Sequence, residues 1–166
     1  MKRPIIAYAL VLSLVFVIRA PAHSDENHGK HADRHANDHA VAIGKPGDPG
    51  KVTRDVDVEM SDAMRFKPES IQVKRGETIR FIVRNTGKLK HEMVLGTIGE
   101  LKEHAELMRK SPEMEHAEPN QVSVEPGKTG ELVWQFDTAG TVDFACLVPG
   151  HFEAGMVGKV RVEPVK

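Results

Sequence analysis

Cys146-Leu147-Val148-Pro149-Gly150-His151-Phe152-Glu153-Ala154-Gly155-Met156 puts a thiol, an imidazole and a thioether on one short stretch. Pro149-Gly150 marks a turn, and Gly155 reopens the chain before Met156. Cys146 is the only cysteine in the 166 residues, so it has no partner for an internal disulfide. A soft thiolate and a thioether beside an imidazole form the donor set that copper selects, and a trigonal His₂Cys site with a weak axial Met suits one-electron exchange. Such a site lacks only a second histidine. His91, in Gly87-Lys88-Leu89-Lys90-His91-Glu92-Met93-Val94, is the best candidate.

Outward from this stretch the pattern is that of strands. Val52, Val56, Val58 and Met60 alternate with Thr53, Asp55, Asp57 and Glu59, as a half-buried strand requires. Ile71-Gln72-Val73, Thr78 to Arg84, His91 to Leu95, Gln121 to Val124, Glu131 to Phe136, Thr141 to Ala145 and Val157 to Val162 continue the series. Turn signals at 74–77, 85–87, 125–128 and 138–140 separate them. About eight short strands so spaced predict an all-β, antiparallel sandwich.

These residues together resemble the cupredoxins, the small copper proteins that include plastocyanin, azurin and pseudoazurin. The Cys-x4-His spacing is similar to azurin, and His-x4-Met with Ala154-Gly155-Met156 is similar to plastocyanin. Phe66-Lys67-Pro68 through Asn85 resembles the family's early strands, and the likeness spans about residues 52–163. It implies a Greek-key β-sandwich and one type 1 copper. His91, Cys146 and His151 would be the in-plane ligands and Met156 the axial one. It also implies that His151 serves as the electron's port, with Val148, Pro149 and Phe152 as an apolar rim for a redox partner. The family usually carries Asn after its upstream histidine, where it ties the two ligand loops together; this chain has Glu92, a departure at a position that tunes the site. Within the family the chain most resembles periplasmic cupredoxins with a His-rich leader, associated with bacterial copper tolerance.

Residues 1–22 read as a secretory signal peptide, with Lys2 and Arg3 before an apolar run from Ile5 to Ile18 and Ala20-Pro21-Ala22 as the cleavage site. The alternative is an uncleaved anchor, but the run falls short of the about 20 residues a span needs. Cleavage leaves no membrane span and places the protein in the periplasm. The whole chain carries a net charge of −1, and losing the basic segment makes the remainder more acidic. Nucleic acid is therefore not the expected partner. In an oxidising compartment an unpaired cysteine is either a reactive group or a buried inert one.

Residues 23–50 read as a disordered His-rich linker, poor in apolar residues and ending in Gly44-Lys45-Pro46-Gly47-Asp48-Pro49-Gly50. His23, His28, His31, His35 and His39 make it a candidate for auxiliary copper binding. The last three would share one helical face, and His23 would offer its amine beside its imidazole once residue 22 is the last removed. Residues 51–166 form the expected cupredoxin domain.

An insertion at 99–120 breaks the strand pattern. Glu100 to Lys110 favours a helix, with Leu101, Ala105 and Met108 as its apolar stripe and Ser111-Pro112 as its stop. His104, Met108, Met114 and His116 are candidate ligands for a further copper, since thioethers suit Cu(I); the plain alternative is a covering helix with methionine as gap filler. Zinc fits the donor set less well because of the thioether. A dinuclear copper site would need a second cysteine. No second catalytic centre is evident, so an enzyme is not expected. Two functions compete: a periplasmic electron carrier serving copper tolerance, and a copper-sequestering or copper-delivery protein with no electron-transfer role. Either implies a protein partner, redox or copper-handling, beside the copper ion.

Overall fold

The structure is a computed structural model that describes residues 44–112 and 117–165. Among the described residues, ten strands make two sheets. β1 (Lys45–Pro46), β8 (Thr129–Gln135), β5 (Thr78–Asn85), β2 (Arg54–Ser61) and β3 (Arg65–Lys67) lie side by side in one. β4 (Ser70–Lys74), β10 (Val157–Glu163), β9 (Gly140–Ala145), β6 (His91–Gly96) and β7 (Gln121–Val124) make the other. Among the described residues one α-helix, α1 (Ile98–Lys110), lies between β6 and β7. None of the described helices is long and apolar enough to cross a membrane.

The core between the sheets comes from alternate residues of each strand. Val58 and Met60 of β2, Ile79, Phe81 and Val83 of β5, and Leu132 and Trp134 of β8 face Ile71, Val73, Met93, Leu95, Val142, Phe144, Val160 and Val162 of the other sheet. Phe66 meets Phe144 edge-on at 5.0 Å between ring centroids, a geometry that aromatic quadrupoles favour. The packing is close enough that a Cβ on Gly158 would sit 2.3 Å from the Phe144 ring.

The sheets are mixed rather than purely antiparallel as expected. β2 runs parallel to β5, and β4 runs parallel to β10. Alternation reports that one face of a strand is buried; it carries no information on the direction of the neighbouring strand. The folded unit also begins earlier than composition suggests. Gly44 is buried at a φ of 101°, Lys45 and Pro46 pair with Gln135 and Trp134, and Gly47 N–H donates to the Val133 carbonyl. A Gly/Pro-rich segment can still pair through its backbone along a sheet edge, where proline is tolerated.

The α1 helix has the expected position and stop. Its start is a capping box: Thr97 Oγ1 accepts from Glu100 N–H at 3.3 Å, and Glu100 Oε2 accepts from Thr97 N–H at 2.9 Å. Leu101 and Ala105 are buried against Val94, Ala145 and Leu147, forming a second small core on the outer face of the β6–β9 pair. This explains why β6 is buried at every position and lacks alternation. His91, Met93 and Leu95 face the sandwich interior, whereas Val94 and Gly96 face the helix. Thr97→Ala removes one capping oxygen and should lower unfolding free energy by about 1 kcal/mol. Urea denaturation followed by circular dichroism will measure it; an unchanged midpoint would mean that packing alone fixes the helix start.

Candidate metal centre

β9 and β10 form the hairpin that carries the ligand loop. Ala145 pairs with Val157, and one step further Cys146 N–H donates to the Met156 carbonyl at 3.1 Å. Cys146 and Met156 therefore stand opposite each other at the loop's base. Between them the loop closes on itself: His151 N–H donates to Val148 O, Gly155 N–H to Phe152 O and Met156 N–H to His151 O, all at 2.9–3.0 Å. Gly150 and Gly155 have φ of 89° and 86°, which glycine adopts without strain. From outside, Arg65 Nη1 on β3 donates to the Ala154 carbonyl at 3.0 Å, clipping the loop just before Met156.

β6 brings the distant donor. Val94 pairs with Ala145 and Leu95 with Phe144, a register that puts His91 beside the loop after Cys146. The Cys146 Sγ lies 3.3 Å from His151 Nδ1 and 4.0 Å from His91 Nδ1. The three donor atoms are all within 4.8 Å of one another. His91, Cys146 and Met156 are 0% exposed, while His151 is 8% exposed, so His151 is the member of the set that reaches the surface. Met156 belongs to the same buried cluster as Cys146.

Two carboxylates organise the site. Asp62, at the end of the β2 hairpin, accepts from Lys88 N–H at 2.8 Å and Leu89 N–H at 3.2 Å, and sits 3.2 Å from His91 Nε2. A carboxylate acceptor fixes the proton on Nε2 and leaves Nδ1 as the lone-pair nitrogen facing Cys146. The Lys88 N–H above all, with Leu89 and His91, holds the Asp62 carboxyl below its ordinary range. Asn85, buried, shapes the same loop by donating to the Leu89 and Val124 carbonyls and accepting from Gly87 N–H.

Glu92 is the second carboxylate. Its N–H points at Cys146 Sγ at 3.4 Å, Oε1 accepts from Leu147 N–H at 3.0 Å, and Oε2 accepts from Ser123 Oγ at 3.3 Å. The departure from Asn thus keeps the tie between the two ligand loops but makes it with a carboxylate. Burial pushes the Cys146 thiol up to about 12; N–H groups of Glu92 and Val148 pull it down, and the Glu92 charge adds to the rise. Burial, with the neighbouring His91, keeps His151 below its ordinary range, so it offers a neutral imidazole.

Sequence reasoning did not anticipate Asp62, Asn85 or Arg65. An Asp-Ala turn, an Asn after a strand and a lone Arg are ordinary in any β-protein; only the tertiary pairing shows what they touch. Of the auxiliary candidates, His104 and Met108 lie on α1 and line a separate cavity with Glu92. Met114, His116 and the leader histidines His23, His28, His31, His35 and His39 lie outside the described residues.

With two imidazole nitrogens and one cysteine sulfur converging in an apolar enclosure, the donor chemistry fits copper. The sequence profile described as "Copper binding proteins, plastocyanin/azurin family" matches residues 52–163. The chain belongs to this family. Its cupredoxin fold is similar to reduced auracyanin from Roseiflexus castenholzii, with a TM-score of 0.59 at 19% identity over 68% of this chain and 99% of that one. In sequence it is 52% identical to a "Copper-resistant cuproprotein CopI" of Rubrivivax gelatinosus, over 98% of this chain and 99% of that protein. A protein of the same name from Pseudomonas aeruginosa is 38% identical over 76% of this chain and 85% of its own. As a cupredoxin, the protein takes copper as its cofactor.

Two outcomes follow for the site. The raised thiol stays protonated at neutral pH, so copper uptake must expel that proton. Thiolate absorbance of the metal-free protein should rise with a midpoint near 12 rather than 9.0, and copper addition at neutral pH should acidify a weakly buffered solution. A thiolate already present at pH 8 would contradict this. Asp62→Ala removes the Nε2 partner of His91 and should weaken Cu(II) binding about 10–100-fold. Competition with a calibrated chelator reads that loss, and unchanged affinity would show that β6 alone orients the ring.

Proposed function

We propose that this cupredoxin is exported to the periplasm, where it holds one type 1 copper, exchanges single electrons and serves copper tolerance. The observation that carries the proposal is the enclosure of His91, Cys146 and His151 by one hydrogen-bonded loop and one strand, with three donor atoms inside 4.8 Å. His91, Cys146 and His151 would hold the copper through two imidazole nitrogens and a thiolate sulfur, and Met156 would add a weaker thioether donor. Bound copper supplies a one-electron couple. The chain's own residues hold the geometry. Asp62 fixes the His91 ring, N–H groups from Glu92 and Val148 support the Cys146 sulfur, and Arg65 and the loop's internal bonds restrain Met156. Donors so restrained need little rearrangement when the charge on the metal changes. His151, partly open to solvent, is the exit for the electron, beside exposed Pro149 and half-buried Val148 and Phe152. Such a small apolar rim suits a transient contact with a redox protein. No substrate-binding position is part of this reading, and the protein is not an enzyme.

The role in tolerance rests on the similarity to the copper-resistant relatives, which extends over nearly the whole chain. Sequestration or delivery of copper without electron transfer is the competing reading, favoured by the leader histidines.

Optical and EPR spectra of the copper-loaded protein beside Cys146→Ser provide the test. An intense visible thiolate-to-copper band, lost in the variant, is expected; a tetragonal spectrum indifferent to the substitution would refute the type 1 assignment. In cells, removal of residues 23–43 should leave that band intact. Loss of copper tolerance on the same removal would assign the leader a part in the function.

A further inference from the structure

Asp62 and Glu92 reach the metal centre through different donors. Asp62 Oδ1 lies 3.2 Å from Nε2 of His91, whose Nδ1 faces Cys146. Glu92 is buried, and its Oε1 accepts from the N–H of Leu147, the residue after Cys146, at 3.0 Å. Holding the loops does not require charge. A neutral carbonyl oxygen would orient the His91 ring, and an amide oxygen would accept from Leu147 N–H equally well. What a carboxylate adds at both positions is negative charge beside the donor set.

We propose that Asp62 and Glu92 set the redox balance of this centre, together favouring Cu(II) over Cu(I) and so lowering its reduction potential. The inference rests on the copper reading of His91, Cys146 and His151 above and adds which oxidation state their surroundings prefer. Its sign follows from charge. Cu(II) carries one positive charge more than Cu(I), so a nearby anion stabilises it more, and the effect grows where water is excluded. Asp62 also acts through the ring it touches. A carboxylate accepting from Nε2–H makes the imidazole a more basic ligand, and the harder Cu(II) gains more from a basic nitrogen.

Two features oppose this bias. The Glu92 N–H, 3.4 Å from Cys146 Sγ, draws electron density from the sulfur and favours Cu(I). Lys90 lines the same cavity wall as Glu92 and offsets part of its charge. A full charge outweighs one N–H dipole at comparable range. Lys90 is only half-buried, so water screens it more than it screens Glu92. The Asp62 side chain is 37% exposed, which screens its field too, and its influence passes mainly through the His91 contact.

Glu92→Gln tests the charge alone, because it leaves the backbone N–H in place and keeps an oxygen for Leu147. In the full chain, competition titrations give the Cu(II) and Cu(I) dissociation constants of the copper that is lost in Cys146→Ser. Their ratio, Cu(II) over Cu(I), should rise about tenfold in Glu92→Gln. That equals about 59 mV in the one-electron potential, which voltammetry reads separately. In Asp62→Asn the ratio should move the same way, with Cu(II) weakened and Cu(I) nearly unaffected. Glu163→Gln makes the same charge change about 20 Å along β10 from Val157; it should alter the ratio by less than about twofold.

Equal weakening of both ions in Glu92→Gln would reduce Glu92 to a structural tie and overturn the proposal, as would a ratio that stays or falls. A rise in Glu163→Gln as large as that in Glu92→Gln would overturn the local origin of the effect. If Asp62→Asn does not fold, Glu92→Gln decides. Retention of every copper in Cys146→Ser would overturn the metal centre and the proposal together. An unmoved ratio, with that copper lost, overturns the proposal alone.

Discussion

Desolvation is the constraint on which this structure turns. A thiol and two imidazoles occupy the interior of an apolar sandwich, where polar groups without partners are costly. Each is stabilised in a different way. His91 has Asp62, Cys146 has two backbone N–H groups, and His151 keeps contact with the surface. The arrangement raises the thiol and lowers the imidazole toward neutral forms that sit comfortably in the apolar enclosure. It also leaves three donor atoms converging on one point, a condition that copper relieves.

Glu92 shows how the two layers of the molecule meet at this point. Its backbone belongs to the strand that delivers His91, and its side chain lies on the outer, helix-covered face. From there it holds Leu147 on the ligand loop and Ser123 on the edge strand. An Asn at this position would bring an amide that both donates and accepts; a carboxylate accepts only when ionised. The tie survives the exchange because its partners, an N–H and a hydroxyl, are both donors. What changes is the charge close to the sulfur.

Much of this was legible in the sequence because the ligand loop is local. Cys146, His151 and Met156 fall on one hairpin, whose register their spacing reflects, and the helix announced itself by its apolar stripe and its stop at Ser111-Pro112. The strand run beginning at His91 could be placed, but its double-sided burial could not, since that depends on α1 folding over it. The parallel pairings β2–β5 and β4–β10 have no signature in alternation. The pairing of Lys45–Pro46 with β8 was hidden behind a composition that resembles a linker. Asp62 was hidden for a different reason: its partners lie 26 to 29 residues away, and the turn it occupies is unremarkable by itself.

The position of β10 bears on how the protein is made. It lies between β4 and β9, so β4 has no neighbour in its sheet until the last strand of the chain arrives. Of the three converging donors, Cys146 and His151 are also in the final part of the sequence. A chain synthesised from its N-terminus thus delivers His91 well before its thiol, which comes nearly last. The sandwich cannot close around the metal centre before the whole chain is available, and the enclosure that protects Cys146 is completed in the same step that creates the site. Folding order thus ties the completion of the metal centre to the arrival of the last strand.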